Sequence, residues 1–104
     1  MAKINSRQKG AAGERELSKY LEKFGYVARR GRQYSGSPDS PDVVSDFPCH
    51  IECKRVEALN LSKAYEQAVA DASDKPPCVI HRKNRTPWMI TLSLDDFIRL
   101  VRKD

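Results

Sequence analysis

Cysteine is scarce in this sequence: its three copies are Cys49, Cys53 and Cys78, with no C-x-x-C pair. An odd number of cysteines without such a pair indicates neither a disulfide framework nor a zinc knuckle, so we expect reduced thiols. In a strand, Cys49, Ile51 and Cys53 would point to one face and pack as small core residues. A metal site built on Cys49, His50 and Cys53 is the alternative, but a strand would put those side chains on opposite faces. The core assignment is therefore favoured.

The chain also lacks a long apolar segment. No run approaches the roughly 20 residues needed to span a bilayer, and the polar start MAKINSRQKG has no apolar segment of a signal peptide. These absences predict a soluble protein of the cytoplasm with no membrane partner. Helix-turn-helix, zinc-finger and RNA-binding aromatic signatures are missing as well, so a DNA partner would be recognised by its shape rather than by its base sequence.

Basic residues outnumber acidic ones, 19 against 14, and give a formal net charge of +5. This balance suits an acidic polymer as partner. With 104 residues the chain has the size of one ordinary domain. No repeat, low-complexity tract or linker divides it, and we predict a single domain over residues 1–104.

Hydrophobic periodicity predicts three helices, at residues 12–24, 61–72 and 94–103. The first ends near Gly25, the second is capped by Asn60 or Ser62, and the third opens with a Ser93–Asp96 capping-box pattern. Alternating segments predict strands at residues 26–30, 42–46, 49–56, 78–83 and 87–93, and residues 31–41 form a mobile loop rich in Gly, Ser and Pro. The order αβββαββα predicts an α/β fold with one sheet flanked by helices.

Two charged side chains on the strand at residues 49–56 stand out. The period of two places Glu52 and Lys54 on one face, with Cα atoms roughly 7 Å apart. Alone, such a pair is more often a polar solvent-facing surface than a site.

The preceding strand contributes an acidic residue. Two Pro-Asp pairs lie before it, at Asp39 and Asp42. Asp39 sits among Ser and Gly and fits a turn, whereas Asp42 opens the β-branched run of a strand. Asp42, Glu52 and the backbone carbonyl of Cys53 would offer oxygen ligands suited to Mg²⁺.

Two further polar residues lie beside apolar helix stripes. Glu14 precedes Leu17 by three positions, so it should face the sheet and the candidate site. The alternative is an ion pair with Arg15, Arg7 or another basic residue at the start of the helix. Gln67 flanks the stripe of the second helix and could reach over the site, or it is a surface polar residue.

These residues carry a resemblance to a known superfamily. Pro41-Asp42, then Glu52-Cys53-Lys54, after a helix bearing Glu14, resemble the PD-(D/E)xK nucleases. Within that superfamily, KGAAGERELSKYLEKFGYVARR, a Ser-Gly loop, PDVV and IECK are most similar to the archaeal-type Holliday junction resolvases and their phage-borne relatives.

The resemblance implies a restriction-endonuclease-like fold with a central mixed sheet. It also implies Mg²⁺-dependent phosphodiester hydrolysis, with Mn²⁺ able to substitute, by homodimers that cut four-way DNA junctions during recombination and repair. Asp42 and Glu52 would be metal ligands, Lys54 would activate water or stabilise charge, and Glu14 would complete the site directly or through water. Ser35 or Ser37 falls where these resolvases carry a functional serine.

Basic residues are distributed as a DNA-binding surface would require, and one aromatic side chain in the loop could stack on sugar or base. The candidates are Lys3, Arg7, Lys9, Arg29, Arg30, Arg32, Tyr34, Arg82, Lys83 and Arg85. A solvated basic surface is the alternative for any one of them. Two other functions stay open: a different branched-DNA or nicking endonuclease, and a non-catalytic DNA-binding module with this fold.

Overall fold

The computed structural model describes residues 6–31 and 41–102, with side chains from Gly10 onward. Its elements, in chain order, are α1 Ser6–Glu22, β1 Ala28–Arg30, β2 Val43–Ser45, β3 His50–Arg55, α2 Leu61–Asp71, β4 Pro77–Arg82, β5 Met89–Thr91 and α3 Leu94–Arg102. This order confirms the predicted αβββαββα succession. No helix in the described ranges is long and apolar enough to cross a membrane.

The five strands form one mixed sheet in the order β1-β2-β3-β4-β5. Strands β3 and β4 run parallel, and the three other neighbouring pairs run antiparallel. Parallel neighbours need a crossover connection, which α2 provides between β3 and β4. The arrangement matches the predicted restriction-endonuclease-like fold with a mixed sheet flanked by helices.

Helix α1 begins at Ser6, earlier than the predicted residue 12. Its inner face buries Leu17 and Leu21 against β1, β2 and β3. Gly13 also lies on that face, and a Cβ atom there would come within 2.5 Å of the Arg55 Cβ on β3. After the helix, Gly25 takes the left-handed conformation with φ +93°, which a glycine adopts without strain.

The sheet separates two apolar clusters. One lies under α1 and contains Cys49, Ile51 and Cys53, as the core assignment of the cysteines predicts. The other joins Ala64 and Ala68 of α2 to Val79 of β4. Since successive side chains of a strand alternate between faces, α1 and α2 cover opposite faces of the sheet.

The two later helices have the predicted caps. The Asn60 side chain accepts a hydrogen bond from the Lys63 amide at 3.1 Å, and the Ser93 hydroxyl accepts one from the Asp96 amide at 3.1 Å. Helix α3 packs on the core cluster through Leu100. Its main apolar stripe, in contrast, is exposed to solvent.

Candidate active site

Asp42 is fixed at the entrance of β2, where that strand meets β1 and β3. Its amide donates to the Ile51 carbonyl at 3.0 Å, and its carbonyl accepts from the Gly31 amide at 2.8 Å. Its Oδ2 accepts from the Cys53 amide at 2.8 Å, and the residue is only 6% exposed. Backbone and side chain are thus both held by neighbouring strands, so the carboxylate has a defined position beside β3.

Glu52 and Lys54 lie next to Asp42 on β3. Ile51 and Cys53 belong to the cluster under α1, so Glu52 and Lys54 point to the opposite face, as predicted. The residue Glu52 is 7% exposed, while the Lys54 side chain keeps 38% of its surface in contact with solvent. The Lys54 Nζ lies 3.5 Å from Glu52 Oε2. The site therefore combines a buried carboxylate with an ammonium group that reaches solvent.

Both carboxyl groups are held in a poorly solvated environment. Burial raises the pKa of Asp42 to about 6, partly opposed by the hydrogen bond from the Cys53 amide. Burial and then the charge of Asp42 raise the pKa of Glu52 to about 7, with Lys54 opposing. When one of these carboxyl groups is ionised, ionisation of the other becomes less favourable. A bound cation would stabilise both in the ionised form.

Glu14 of α1 forms an ion pair with a residue of β1. Its side chain is 13% exposed, and its Oε1 accepts from Arg30 Nε at 2.8 Å. The Glu14 charge contributes to the raised pKa of Asp42. Sequence reasoning offered a site role and an ion pair as alternatives. The structure shows an ion pair, made with Arg30 of β1 rather than with a residue at the start of the helix, and the site role stays a prediction.

Gln67 is exposed on α2, and its amide donates to Asp71 Oδ2 at 2.9 Å. The Asp71 charge contributes to the raised pKa of both Asp42 and Glu52. Asp71 was missed by sequence reasoning, although its spacing of four residues from Gln67 puts the two on one helix face. The acidic surroundings of the site thus extend to the last residue of α2.

Few side chains of the site could act as ligands to a metal ion. Within residues 6–31 and 41–102, no group of three or more His, Cys, Asp or Glu side chains could hold one. Mg²⁺, however, commonly binds through one or two carboxylates and fills its remaining positions with waters and substrate phosphate oxygens. Asp42, Glu52 and the Cys53 carbonyl fit that pattern. The alternative site at Cys49, His50 and Cys53 does not fit, because these described side chains do not form a group that could hold a metal ion, and adjacent positions of β3 point to opposite faces of the sheet.

The predicted DNA-binding residues divide into two groups where the structure describes them. Arg30 pairs with Glu14, while Arg82 pairs with Glu16 and donates to the Thr86 carbonyl at 2.7 Å. Arg29, Lys83 and Arg85 are exposed. The remaining candidates lie outside the described residues or side chains: Lys3, Arg7, Lys9, Arg32, Tyr34, Ser35 and Ser37.

Residues 5–104 match the model of the protein family described as "Phage putative PDDEXK endonuclease". The chain belongs to that family. The match confirms the PD-(D/E)xK superfamily and the phage relatives expected from the sequence, and this membership indicates a nuclease. No match to this PDDEXK-family chain was found among curated proteins or among solved structures.

Proposed function

We propose that the protein is a Mg²⁺-dependent DNA endonuclease that cuts branched DNA, with the four-way junction as its preferred substrate. The observation that carries the proposal is the placement of buried Asp42 and Glu52 beside Lys54 in a chain of an endonuclease family. Asp42, Glu52 and the Cys53 carbonyl would hold the metal ion, and Mn²⁺ would substitute. When bound, a divalent ion supplies an activated water and relief of charge on the phosphate.

The side chains of the protein have distinct roles in this proposal. The Asp42 carboxylate is kept in place by the Cys53 amide, so the site is preorganised before substrate arrives. The Lys54 ammonium, which is partly solvent-exposed, would hold positive charge at the attacked phosphate. Glu14 would complete the site, directly or through water. Gln67 would position substrate through its place beside Asp71.

A positively charged chain favours DNA, and the exposed Arg29, Lys83 and Arg85 would contact phosphates without reading bases. The preference for junctions rests on the resemblance of the sequence to resolvases. These act as homodimers that cut two opposed strands, and we propose the same assembly here.

The deciding experiment is cleavage of a synthetic four-way junction with Mg²⁺. We expect paired nicks in opposed strands from the native protein. Asp42→Asn and Glu52→Gln should each lower the cleavage rate by at least about 100-fold, since each removes a ligand charge. Both variants should still retard the junction in a gel. Glu66→Gln removes an exposed carboxylate from α2 and serves as the matched control with unchanged cleavage.

The outcomes separate the candidate functions. Full cleavage by Asp42→Asn and Glu52→Gln would show that the site is wrongly assigned. Equal cutting of flap, nicked and linear DNA would favour another endonuclease over a resolvase. A protein that binds the junction but does not cleave it, and that shows no Mg²⁺ binding by calorimetry, would favour a non-catalytic binding module.

A further inference from the structure

Helix α3 carries an apolar stripe that the rest of the chain leaves exposed. Leu94, Phe97, Ile98 and Val101 recur at i, i+3, i+4 and i+7, so they share one helix face. Their exposed fractions are 69%, 49%, 40% and 61%. We refer to these four residues as the α3 stripe. A stripe with this spacing normally faces a core, so its exposure calls for a partner.

The way α3 is attached explains why the stripe faces outward. The helix packs on the core cluster through Leu100, which lies roughly 100° around the helix axis from Val101. With nine residues, α3 is shorter than the ~12–15 residues at which isolated helices are marginally stable. Its stability therefore depends on packing, and the α3 stripe is the larger apolar face that it offers.

The area of this surface reaches the lower limit for a specific interface when two copies of the chain are paired. The four side chains expose roughly 400 Å² together, within the range of about 300–600 Å² for the largest patch on a typical monomer. Ile90 of β5, 44% exposed, lies on the same sheet face as Ile80, its register partner in the cluster under α1. Two such surfaces with their polar flanks would bury on the order of 1,000 Å², the lower bound for a specific interface.

The charges beside the α3 stripe favour an identical partner. Asp95 in the first turn and Arg102 in the last turn lie at the edge of the stripe, whereas Asp96 and Arg99 lie on the far side of the helix and pair with each other at 3.0 Å. If two α3 helices pack antiparallel, Asp95 of each lies beside Arg102 of the other, and the helix dipoles run in opposite directions, which is favourable. A two-fold interface must be self-complementary, and this helix has that property.

We propose that the α3 stripe is the docking surface for a second copy of this chain, with the two α3 helices antiparallel about a two-fold axis. The inference names the surface of the homodimer proposed above and rests on that part of the proposed function alone. Glu52 and Lys54 lie on the sheet face covered by α2, whereas Leu100 packs on the other face. Docking through α3 therefore leaves the candidate active site accessible.

The first test measures molar mass by sedimentation equilibrium without DNA or metal, over about 1 to 100 µM. We expect a mass of twice 11.8 kDa for the native chain at the upper concentrations. Phe97→Glu puts a charge at the centre of the α3 stripe and should return the mass to that of one chain. Val69→Glu is the matched control, because Val69 is an equally exposed apolar residue of α2, at 51%, and should leave the dimer intact.

A second test remains informative if Phe97→Glu unfolds α3. Asp95→Lys alone and Arg102→Glu alone each place like charges beside one another in the antiparallel pair, so each should weaken dimerisation at least about tenfold. An equimolar mixture of the two variants restores opposite charges at both ends and should form dimers. Recovery in the mixture also demonstrates that both variants are folded.

Several results would overturn this assignment. They are a native chain that stays at 11.8 kDa throughout, dissociation by Val69→Glu as well as by Phe97→Glu, or charge variants that dimerise alone as well as they do when mixed. Because cleavage is not measured, loss of nuclease activity in the Asp42 and Glu52 variants has no bearing on the outcome. Conversely, if the chain is monomeric and still cleaves DNA, the α3 stripe is not a dimer surface, whereas the proposed nuclease function stands.

Discussion

At the residue scale, the candidate site combines burial with like charge. Asp42 and Glu52 are each less than one-tenth exposed and lie side by side, and the pKa of each is raised toward neutrality. Folding must therefore keep two carboxyl groups in a place where their ionised forms are unfavourable. Such an arrangement is typical of functional sites, where the free energy lost on folding is recovered when the ligand binds.

This cost gives a stability prediction for Glu52→Gln. The pKa of Glu52 is about 7 in the folded protein, against an ordinary value of 4.5. Between these values, the unfolded chain loses the proton while the folded protein retains it, so the free energy of unfolding falls as pH rises. Relative to the native protein, Glu52→Gln should gain on the order of 3 kcal/mol between pH 4.5 and pH 8.

Urea denaturation in the presence of a chelator, repeated across this pH range, measures the difference. Glu66→Gln is exposed and should follow the native profile. A Glu52→Gln profile parallel to the native one would mean that Glu52 is not ionising at a raised pKa. Adding Mg²⁺ at pH 8 should stabilise the native protein more than Glu52→Gln, because a ligand that binds the folded state shifts the equilibrium toward it.

The residues of the site differ in how far the sequence revealed them. Glu52, Lys54 and Asp42 were accessible because a strand period of two and a proline at a strand entrance are local signals. Asp71 was not, since its relation to Glu52 depends on α2 lying over β3, a long-range contact. The pairing of Arg30 with Glu14 and of Arg82 with Glu16 likewise joins distant segments.

At the scale of elements, α1 shows why a predicted boundary was wrong. The residues before Ala12 are mostly polar and basic, so apolar periodicity predicted no helix there. The helix nevertheless begins at Ser6. Gly13 lies where a side chain would collide with Arg55, so packing against β3 explains a glycine that helix propensity disfavours. Tertiary contacts of this kind cannot be read from periodicity.

Replacing the two glycines of α1 separates propensity from packing. Gly10 is exposed, and a Cβ there would meet nothing within 4 Å. Gly10→Ala should therefore raise the free energy of unfolding by about 0.5–1 kcal/mol. Gly13→Ala raises helix propensity by the same amount, but its Cβ atom forces the Arg55 side chain and β3 to shift. Gly13→Ala should therefore lower the free energy of unfolding. Equal stabilisation in urea melts would show that α1 does not pack closely on Arg55.

The helix stripes show the same limit. Periodicity correctly indicated that Leu17 and Leu21 share a face, and the core buries them. It indicated equally well that Phe97 and Ile98 share a face, yet these are exposed. The period of a sequence identifies an apolar face, whereas the partner that covers it depends on the rest of the fold or on another molecule.

At the scale of the whole molecule, a net charge of +5 surrounds a locally acidic site. Several basic side chains form ion pairs within the chain, such as Arg55 and Arg82, which both pair with Glu16. The ion pairs of the described residues involve neither Arg29 nor Lys83, and both are exposed. Arg85 is likewise exposed and takes part in none of these ion pairs, so these three residues are the strongest candidates for phosphate contacts.

Salt dependence measures such contacts directly. Binding of a four-way junction by Glu52→Gln, followed in EDTA, should weaken linearly with the logarithm of salt concentration. Adding Arg29→Ala or Lys83→Ala should reduce the slope by about one each, since each phosphate contact releases a counterion. Lys63→Ala removes an exposed cation outside the predicted set and should leave the slope unchanged. Unchanged slopes for all three would place the DNA elsewhere.

The contact between Gly31 and Asp42 helps to anchor the site residue Asp42. The Gly31 amide donates to the Asp42 carbonyl at 2.8 Å, and a Cβ on Gly31 would strike the Pro41 carbonyl. The described chain therefore leaves the sheet at Gly31 and rejoins it at Asp42, and a hydrogen bond joins these two residues. Asp42 is thus anchored by backbone contacts to Gly31, directly after β1, and to Ile51 of β3, and these contacts do not depend on the length of the chain that connects Gly31 to Pro41.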